Sequence, residues 1–227
     1  MPDPKPSRKR TPARSRASQR WNAAVPDRDE QARIKREALL RMSVRLFNER
    51  GYHETSLADI ARHLNVTKPA LYYYVSGKEE ILLECQRRGT ALIDEAIRAV
   101  DAHPGKGLER FHDFVARYVA IMTTDFATCL IRSGPDALGT QGRAEIMRGR
   151  RKLERVLESI LQRGIDDGSI AACDTRMASF TIFGALHWLC FWFRDSGPLS
   201  PAEIGERMSD LFVRGLEPRA APRPAAR

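Results

Sequence analysis

Apolar residues recur at helical spacing along most of this chain, and no stretch alternates as a half-buried strand would. From about Asp29 to Arg50, Ile34, Ala38, Met42 and Leu46 share one face, with Leu39 and Phe47 beside them, and Gly51 stops the helix. Thr55-Ser56 offers an N-cap to a short helix carrying Leu57, Ile60, Ala61 and Leu64. Asn65-Val66 makes a tight turn. Thr67 is placed to cap the next helix, with Pro69 in its first turn, where a missing N–H costs nothing. Ser76-Gly77 ends that helix. Lys78 opens a longer one through Ile81, Leu82, Cys85, Ala91, Leu92, Ile93, Ala96 and Ile97 to about Val100.

His103-Pro104-Gly105 breaks the pattern and marks the first domain boundary. A helix from Gly107 to about Thr124 carries Phe111, Phe114, Val115, Tyr118, Val119 and Met122. The Gly/Pro-broken segment 133–142 reads as a loop or a short broken helix, held by few packed apolar groups and free to move. A long helix follows from Arg143 to Gly164 or beyond, with Leu153, Val156, Leu157, Ile160 and Leu161 on one side. Thr175 to Arg194 is apolar on every side. Ser200-Pro201 starts the last helix, striped by Ile204, Met208, Leu211, Phe212 and Gly215. The expected fold is all-α. A three-helix domain (29–77) is joined by a linking helix (78–100) to a larger helical domain (101–217).

Composition adds the ends. Residues 1–28 hold eight Lys/Arg against two Asp and almost no large apolar groups, which reads as a disordered basic arm; 218–227 adds three Arg in a similar tail. Residues 29–217 are balanced, with 27 basic and 27 acidic residues, so the net charge of +9 belongs to the ends and says little about the folded part. Cys85, Cys129, Cys173 and Cys190 form no Cys-x-x-Cys pair and read as spare thiols in a reducing cytoplasm, without metal. The longest apolar run, Phe180 to Phe193, is too short to span a membrane.

Two short helices joined by a tight turn and propped on either side fit a helix-turn-helix reader of double-stranded DNA. The stretch Lys68-Pro69-Ala70-Leu71-Tyr72-Tyr73-Tyr74 supports it. Successive residues on a helix point about 100° apart, so three consecutive tyrosines cannot all enter one core. Leu71 and Val75 would turn inward, leaving the tyrosines with Thr67, Lys68 and Ala70 facing DNA. A tyrosine offers an apolar face to a thymine methyl and a hydroxyl to a phosphate. Any single one could instead pack between helices.

The run from Thr55-Ser56-Leu57-Ala58-Asp59-Ile60 through Thr67-Lys68-Pro69-Ala70-Leu71-Tyr72-Tyr73-Tyr74-Val75 to Lys78-Glu79-Glu80-Ile81-Leu82 resembles the DNA-binding segment of TetR-type repressors, a likeness covering about residues 31–90. The resemblance implies a homodimeric, all-helical repressor released by a small ligand. It implies phosphate contacts from Tyr72, Lys78 and Thr55, the last also capping, and places Ser56, Thr67, Lys68, Pro69, Ala70, Tyr73 and Tyr74 at the DNA. The family commonly has His where Tyr74 stands and a small or polar residue where Tyr73 stands, so its base preference does not transfer.

In the second half, Trp188 and Trp192 lie one turn apart, with Arg194 after them and Gly184-Ala185 thinning the helix. The run Ala185-Leu186-His187-Trp188, then Phe191-Trp192-Phe193-Arg194 and Gly197-Pro198-Leu199-Ser200-Pro201, resembles the end of TetR-family members that sense acyl-CoA thioesters. This implies a small hydrophobic effector, a CoA thioester, and no resident cofactor. The expected pocket residues are Phe114, Tyr118, Met122, Arg150, Phe183, His187, Trp188, Trp192 and Arg194. The basic run Arg143, Arg148, Arg150, Arg151 and Lys152 would meet the phosphate-bearing head or form a solvated helix face. The last two helices, through Ile204, Met208, Leu211 and Phe212, would pair two copies in a four-helix interface. A free hydrophobic effector and a ligand-independent DNA-binding protein are the alternatives. No metal motif, nucleotide loop or nucleophile elbow supports an enzyme.

Overall fold

The computed structural model describes residues 27–216; of the basic arm expected at 1–28 all but the last two residues, and the whole tail expected at 218–227, lie outside the described residues. The fold is all-helical, with no strand among the described residues. Among the described residues nine α-helices follow in order: α1 (Arg28–Arg50), α2 (Leu57–His63), α3 (Lys68–Leu71), α4 (Lys78–Ala102), α5 (Gly107–Met122), α6 (Asp125–Ser133), α7 (Gly139–Asp166), α8 (Thr175–Trp192) and α9 (Pro201–Leu216). A 3₁₀ turn, Pro135–Leu138, precedes α7.

Local chemistry sets the boundaries of the first half. Asp27 caps α1 by accepting the Glu30 amide at 2.8 Å. Ser56 and Asp59 form a capping box on α2, each side chain bonding the other's backbone N–H at 3.0–3.1 Å. Asn65 turns the chain at φ 57°, a conformation its short polar side chain tolerates. The buried face of α1 is Leu39, Leu40, Val44, Leu46 and Phe47, with Ser43, rather than one led by Ile34 and Ala38. Ile34 is 48% exposed because packing on α1 begins only at Leu39.

Two apolar clusters organise the molecule. The reader cluster gathers Leu39, Leu40, Phe47, Ile60, Leu71, Val75, Ile81, Leu82 and Cys85, with Cys129 and Leu138 brought in from later in the chain. The effector cluster gathers Ile97, Phe111, Phe114, Tyr118, Leu157, Ile160, Ile182, Phe183, Leu186 and Leu189. Helix α4 serves both, through Ile81, Leu82 and Cys85 at one end and Ala96, Ile97 and Val100 at the other. Ala91 and Leu92, between them, are exposed. The start of α5 crosses α7 so closely that a Cβ on Gly107 would lie 2.2 Å from the Gly164 backbone. The Gly107 amide is satisfied there by the Asp167 carboxylate at 2.7 Å.

Helix α6 was not legible in the sequence. Thr124 caps it, accepting the Ala127 amide at 3.3 Å. Its two sides belong to different cores: Ala127 and Ile131 pack in the effector cluster, and Phe126, Cys129 and Leu130 in the reader cluster. The segment 133–142, expected as a loop or a short broken helix, holds the end of α6, the 3₁₀ turn and the start of α7. Leu138 is 1% exposed and plugs the reader cluster, and α7 starts at Gly139 rather than Arg143.

Candidate nucleic-acid interface and ligand chamber

On the reader, Leu71 and Val75 are each 2% exposed and lock α3 inward. Thr67, Lys68, Pro69, Ala70, Tyr72 and Tyr73 stand together on its open side. Tyr73 is 79% exposed; Tyr74 is half-buried against the reader cluster and meets the Tyr73 ring edge-on at 4.9 Å. So Tyr74 props Tyr73, and Tyr72 and Tyr73 make the aromatic surface. Thr67 sits at the N-cap of α3 but its side chain makes no capping bond, contrary to expectation. Lys68 Nζ lies 5.9 Å from the Tyr72 ring centre, a cation on the open face.

Two residues expected at phosphates are engaged within the protein. Thr55 is 1% exposed, and its hydroxyl donates to the Gly51 carbonyl at 2.8 Å; Ser56, on the surface, holds the cap instead. Lys78 turns back into the protein. Its ammonium donates to the carbonyls of Tyr52 and Thr55, both at 2.8 Å, and of His53 at 3.4 Å, and lies 4.6 Å over the Tyr52 ring. Burial lowers its pKa. An ammonium has three N–H bonds, and here all three have carbonyl partners, so Lys78 staples the 51–56 loop to the start of α4.

A chamber of about 340 Å³ opens between α4, α5, α6, α7 and α8. Ile93, Ile97, Met122, Leu130, Ile131 and Phe183 supply its apolar wall. Tyr118 and His187 supply a polar pair, with hydroxyl and Nε2 2.8 Å apart. Tyr118 stacks on Phe114 at 5.7 Å and meets Phe183 edge-on at 5.4 Å. Burial pushes the Tyr118 pKa up and, with a smaller push from Arg150, brings that of His187 down to about 4. The imidazole is therefore neutral at physiological pH. Arg150 lines the same chamber from α7.

Gln86, Thr90, Asp94, Glu145, Gly149 and Lys152 line both this chamber and a second, more polar cleft of about 900 Å³, so the two adjoin. The cleft adds Arg87 and Arg148, and reaches Glu79 and Leu138 at the edge of the reader. Lys152 and Asp94 pair at 2.5 Å across the junction. Gln86 donates to Glu145 at 3.4 Å, which leaves its buried amide oxygen without a partner in the protein.

Tyr118, Met122, Arg150, Phe183 and His187 line the chamber as expected; four other expected residues do not. Phe114 lies behind Tyr118, wholly buried. Trp188 and Trp192 point outward, 61% and 46% exposed. Helix α8 ends at Trp192, and Arg194 donates to the carbonyls of Phe191 and Phe193 at that end. In the basic run, Arg143 pairs with Asp136 at 2.7 Å, while Arg148 and Lys152 do line the cleft. Sequence reading missed Gln86, Thr90, Ile93, Glu145 and Gly149. The one available signal was two uncharged polar residues, Gln86 and Thr90, a turn apart between the two apolar stretches of α4.

The pairing residues also divide. Ile204 is 3% exposed, Met208 and Phe212 pack on the effector cluster of their own protomer, and Phe212 meets Phe111 edge-on at 6.3 Å. Leu211 alone of the four faces out, at 70%. The exposed large apolar residues on α8 are Met177, Phe180, Trp188, Phe191 and Trp192, and a shallow groove lined by Thr181, Leu211 and Gly215 lies between α8 and α9.

His187 makes one pH dependence expected. The folded imidazole titrates near 4 and the unfolded one near 6.5, so between these values the unfolded chain binds more protons. Stability should therefore fall as pH drops through this window, by up to about 3 kcal/mol. Urea unfolding of the wild type and His187→Gln at pH 7 and pH 4.5 isolates the effect. Equal losses in both proteins would contradict it.

No single helix among the described residues is long and apolar enough to cross a membrane, and no cluster of three or more metal-ligating side chains occurs among them. Comparisons with known proteins agree with the architecture. Residues 39–85 match the family model described as "Bacterial regulatory proteins, tetR family", and residues 104–216 match "Tetracyclin repressor-like, C-terminal domain". The transcriptional repressor KstR2 of Mycobacterium tuberculosis is 24% identical over 189 residues, 82% of this chain and 94% of its own. The solved structure of that ketosteroid regulator aligns with a TM-score of 0.76 at 22% identity, covering 82% and 96% of the two chains. AibR, solved with isovaleryl coenzyme A and operator DNA, aligns at 0.68 with 25% identity, covering 81% and 98%. A buried-anchor helix-turn-helix, an all-helical second domain and matches along both make this chain a member of the TetR family of DNA-binding transcriptional regulators, which are not enzymes.

Proposed function

We propose that this regulator represses transcription as a homodimer on a palindromic operator and is released by a CoA thioester. The observation that carries the ligand class is an apolar chamber that shares one wall with a larger, more polar cleft. A volume of about 340 Å³ suits a short acyl arm. The cleft, with Arg87 and Arg148, suits a long head bearing phosphates. AibR, similar along most of its length, was solved with a ligand of this class. The ligand is an effector, not a resident cofactor.

Helix α4 runs along both compartments before entering the reader cluster, and α6 lies between chamber and reader. A ligand that pushes Ile93, Ile97, Leu130 or Ile131 apart would tilt α4 and carry the reading helices off successive grooves. Ligand must then favour the DNA-incompetent state; a 10- to 100-fold preference corresponds to about 1.4–2.7 kcal/mol. A free hydrophobic effector is the second reading, favoured by the low polarity of the chamber wall.

Thermal shift and operator release with isovaleryl-CoA, isovalerate and CoA alone separate the two, because a tight ligand raises stability by mass action. The thioester should stabilise the protein and release DNA. Release by isovalerate alone would favour the second reading. Operator selection tests the reader: Tyr73→Ala should change preference at one position of each half-site by about 1–3 kcal/mol. An unchanged consensus would make Tyr73 a phosphate or packing residue.

A further inference from the structure

Between α1 and α4 lies a cluster of charges that neither DNA reading nor ligand binding uses. Arg88 of α4 forks onto Glu37 of α1, with Nη1 and Nη2 at 3.1 and 2.6 Å from the two carboxylate oxygens. Its Nε donates to Glu84 at 3.1 Å. The guanidinium lies over the Phe126 ring of α6, 4.6 Å from its centre. One side chain on α4 thus touches both α1 and α6.

The network continues to the reader. Arg36 of α1 reaches Glu80 at 3.3 Å, and the other oxygen of Glu80 accepts the Ser76 amide at 2.7 Å, just after the tyrosines. Arg88 and Glu37 are each less than a third exposed, so salt screens them less than a surface pair. Hydrogen bonds from Arg88 and then Arg41 hold the Glu37 carboxyl at about 2, so it stays ionised at neutral pH.

Apolar packing is non-directional and lets helices slide. A two-bond guanidinium–carboxylate fork specifies an orientation. We infer that Arg88 is a positioning residue for operator recognition: by clamping α1 to α4 and lying against α6, it sets the angle of the reader on the effector domain. In a dimer that angle determines which half-site separation is accepted. The inference rests on the dimer-on-palindrome reading above. It also means that the reader moves with the first turns of α4 as one body.

The test uses full-length protein and a selected operator, with zero, one or two base pairs added between the half-sites. Each added pair moves one half-site by about 3.4 Å and turns it by about 35°. The readout is the affinity ratio between separations within each protein, which a uniform loss of affinity or stability does not change. The wild type should lose at least about tenfold per added pair. Arg88→Met, which keeps the stem but removes the fork, and Glu37→Gln should lose less than about threefold, with Arg88→Lys between, since an ammonium is a point charge. Should Arg88→Met not fold, Glu37→Gln decides. Wild-type ratios in the variants would overturn the role of Arg88, leaving the angle to the apolar core. A wild type indifferent to separation would instead overturn the dimer reading itself, and the inference with it.

Discussion

Trp188→Arg should leave each protomer folded but separate the dimer, and weaken operator binding by at least about 100-fold, or about 2.7 kcal/mol. The indole is 61% exposed in the protomer, so replacing it removes little from the core. In a two-fold interface every substitution occurs twice, and each copy would bury an unpaired guanidinium. Leu211→Arg, at 70% exposure, should behave the same way. Phe212→Arg should not: Phe212 packs on Phe111 within its own chain, so that variant should melt early whatever its oligomeric state. Light scattering and thermal melts on the three proteins distinguish these outcomes. An intact dimer for both Trp188→Arg and Leu211→Arg would move the interface elsewhere.

Gly149→Leu should produce a repressor that binds DNA and no longer responds to effector. Gly149 stands where chamber and cleft join, and a Cβ built on it meets nothing within 4 Å. The backbone there thus accepts a side chain, and a leucine is expected to occupy ligand space. Replacing a mid-helix glycine with a good helix former also stabilises α7, by up to about 1 kcal/mol. The expected signature is a raised melting temperature, unchanged operator affinity, and loss of at least about 100-fold in ligand potency, about 2.7 kcal/mol. Loss of response with a lowered melting temperature would signal misfolding instead. A retained response would show that no ligand passes between the compartments. Trp192→Ala, by contrast, should leave ligand release unchanged, because Trp192 lies outside the chamber.

Three pairs of similar or adjacent residues illustrate how sequence and structure part company. Lys68 and Lys78 both flank the tyrosine run, yet only Lys68 stays on the open face, because the 51–56 loop brings three carbonyls to Lys78. Thr55 and Ser56 both suit an N-cap, and the bend of the chain buries the first and leaves the second to cap. Trp188 and His187 are neighbours on α8, and the 100° between them sends one to the surface and the other into the chamber.

By itself the sequence determined the helices of long, regular period, the helix-turn-helix with its inward Leu71 and Val75, and the presence of more apolar surface on α8 than one core needs. These follow from short-range rules: periodicity, caps and glycine or proline breaks act within a few residues. Tertiary structure alone decided which core each apolar face enters. Helix α6 is short and divides its side chains between two clusters, so no single stripe announces it. The outward turn of Trp188, the carbonyls around Lys78 and the fork of Arg88 onto Glu37, 51 residues away, depend on neighbours distant in the chain. An amphipathic pattern states that a face must be covered; only the folded chain, bringing remote segments within contact distance, settles what covers it.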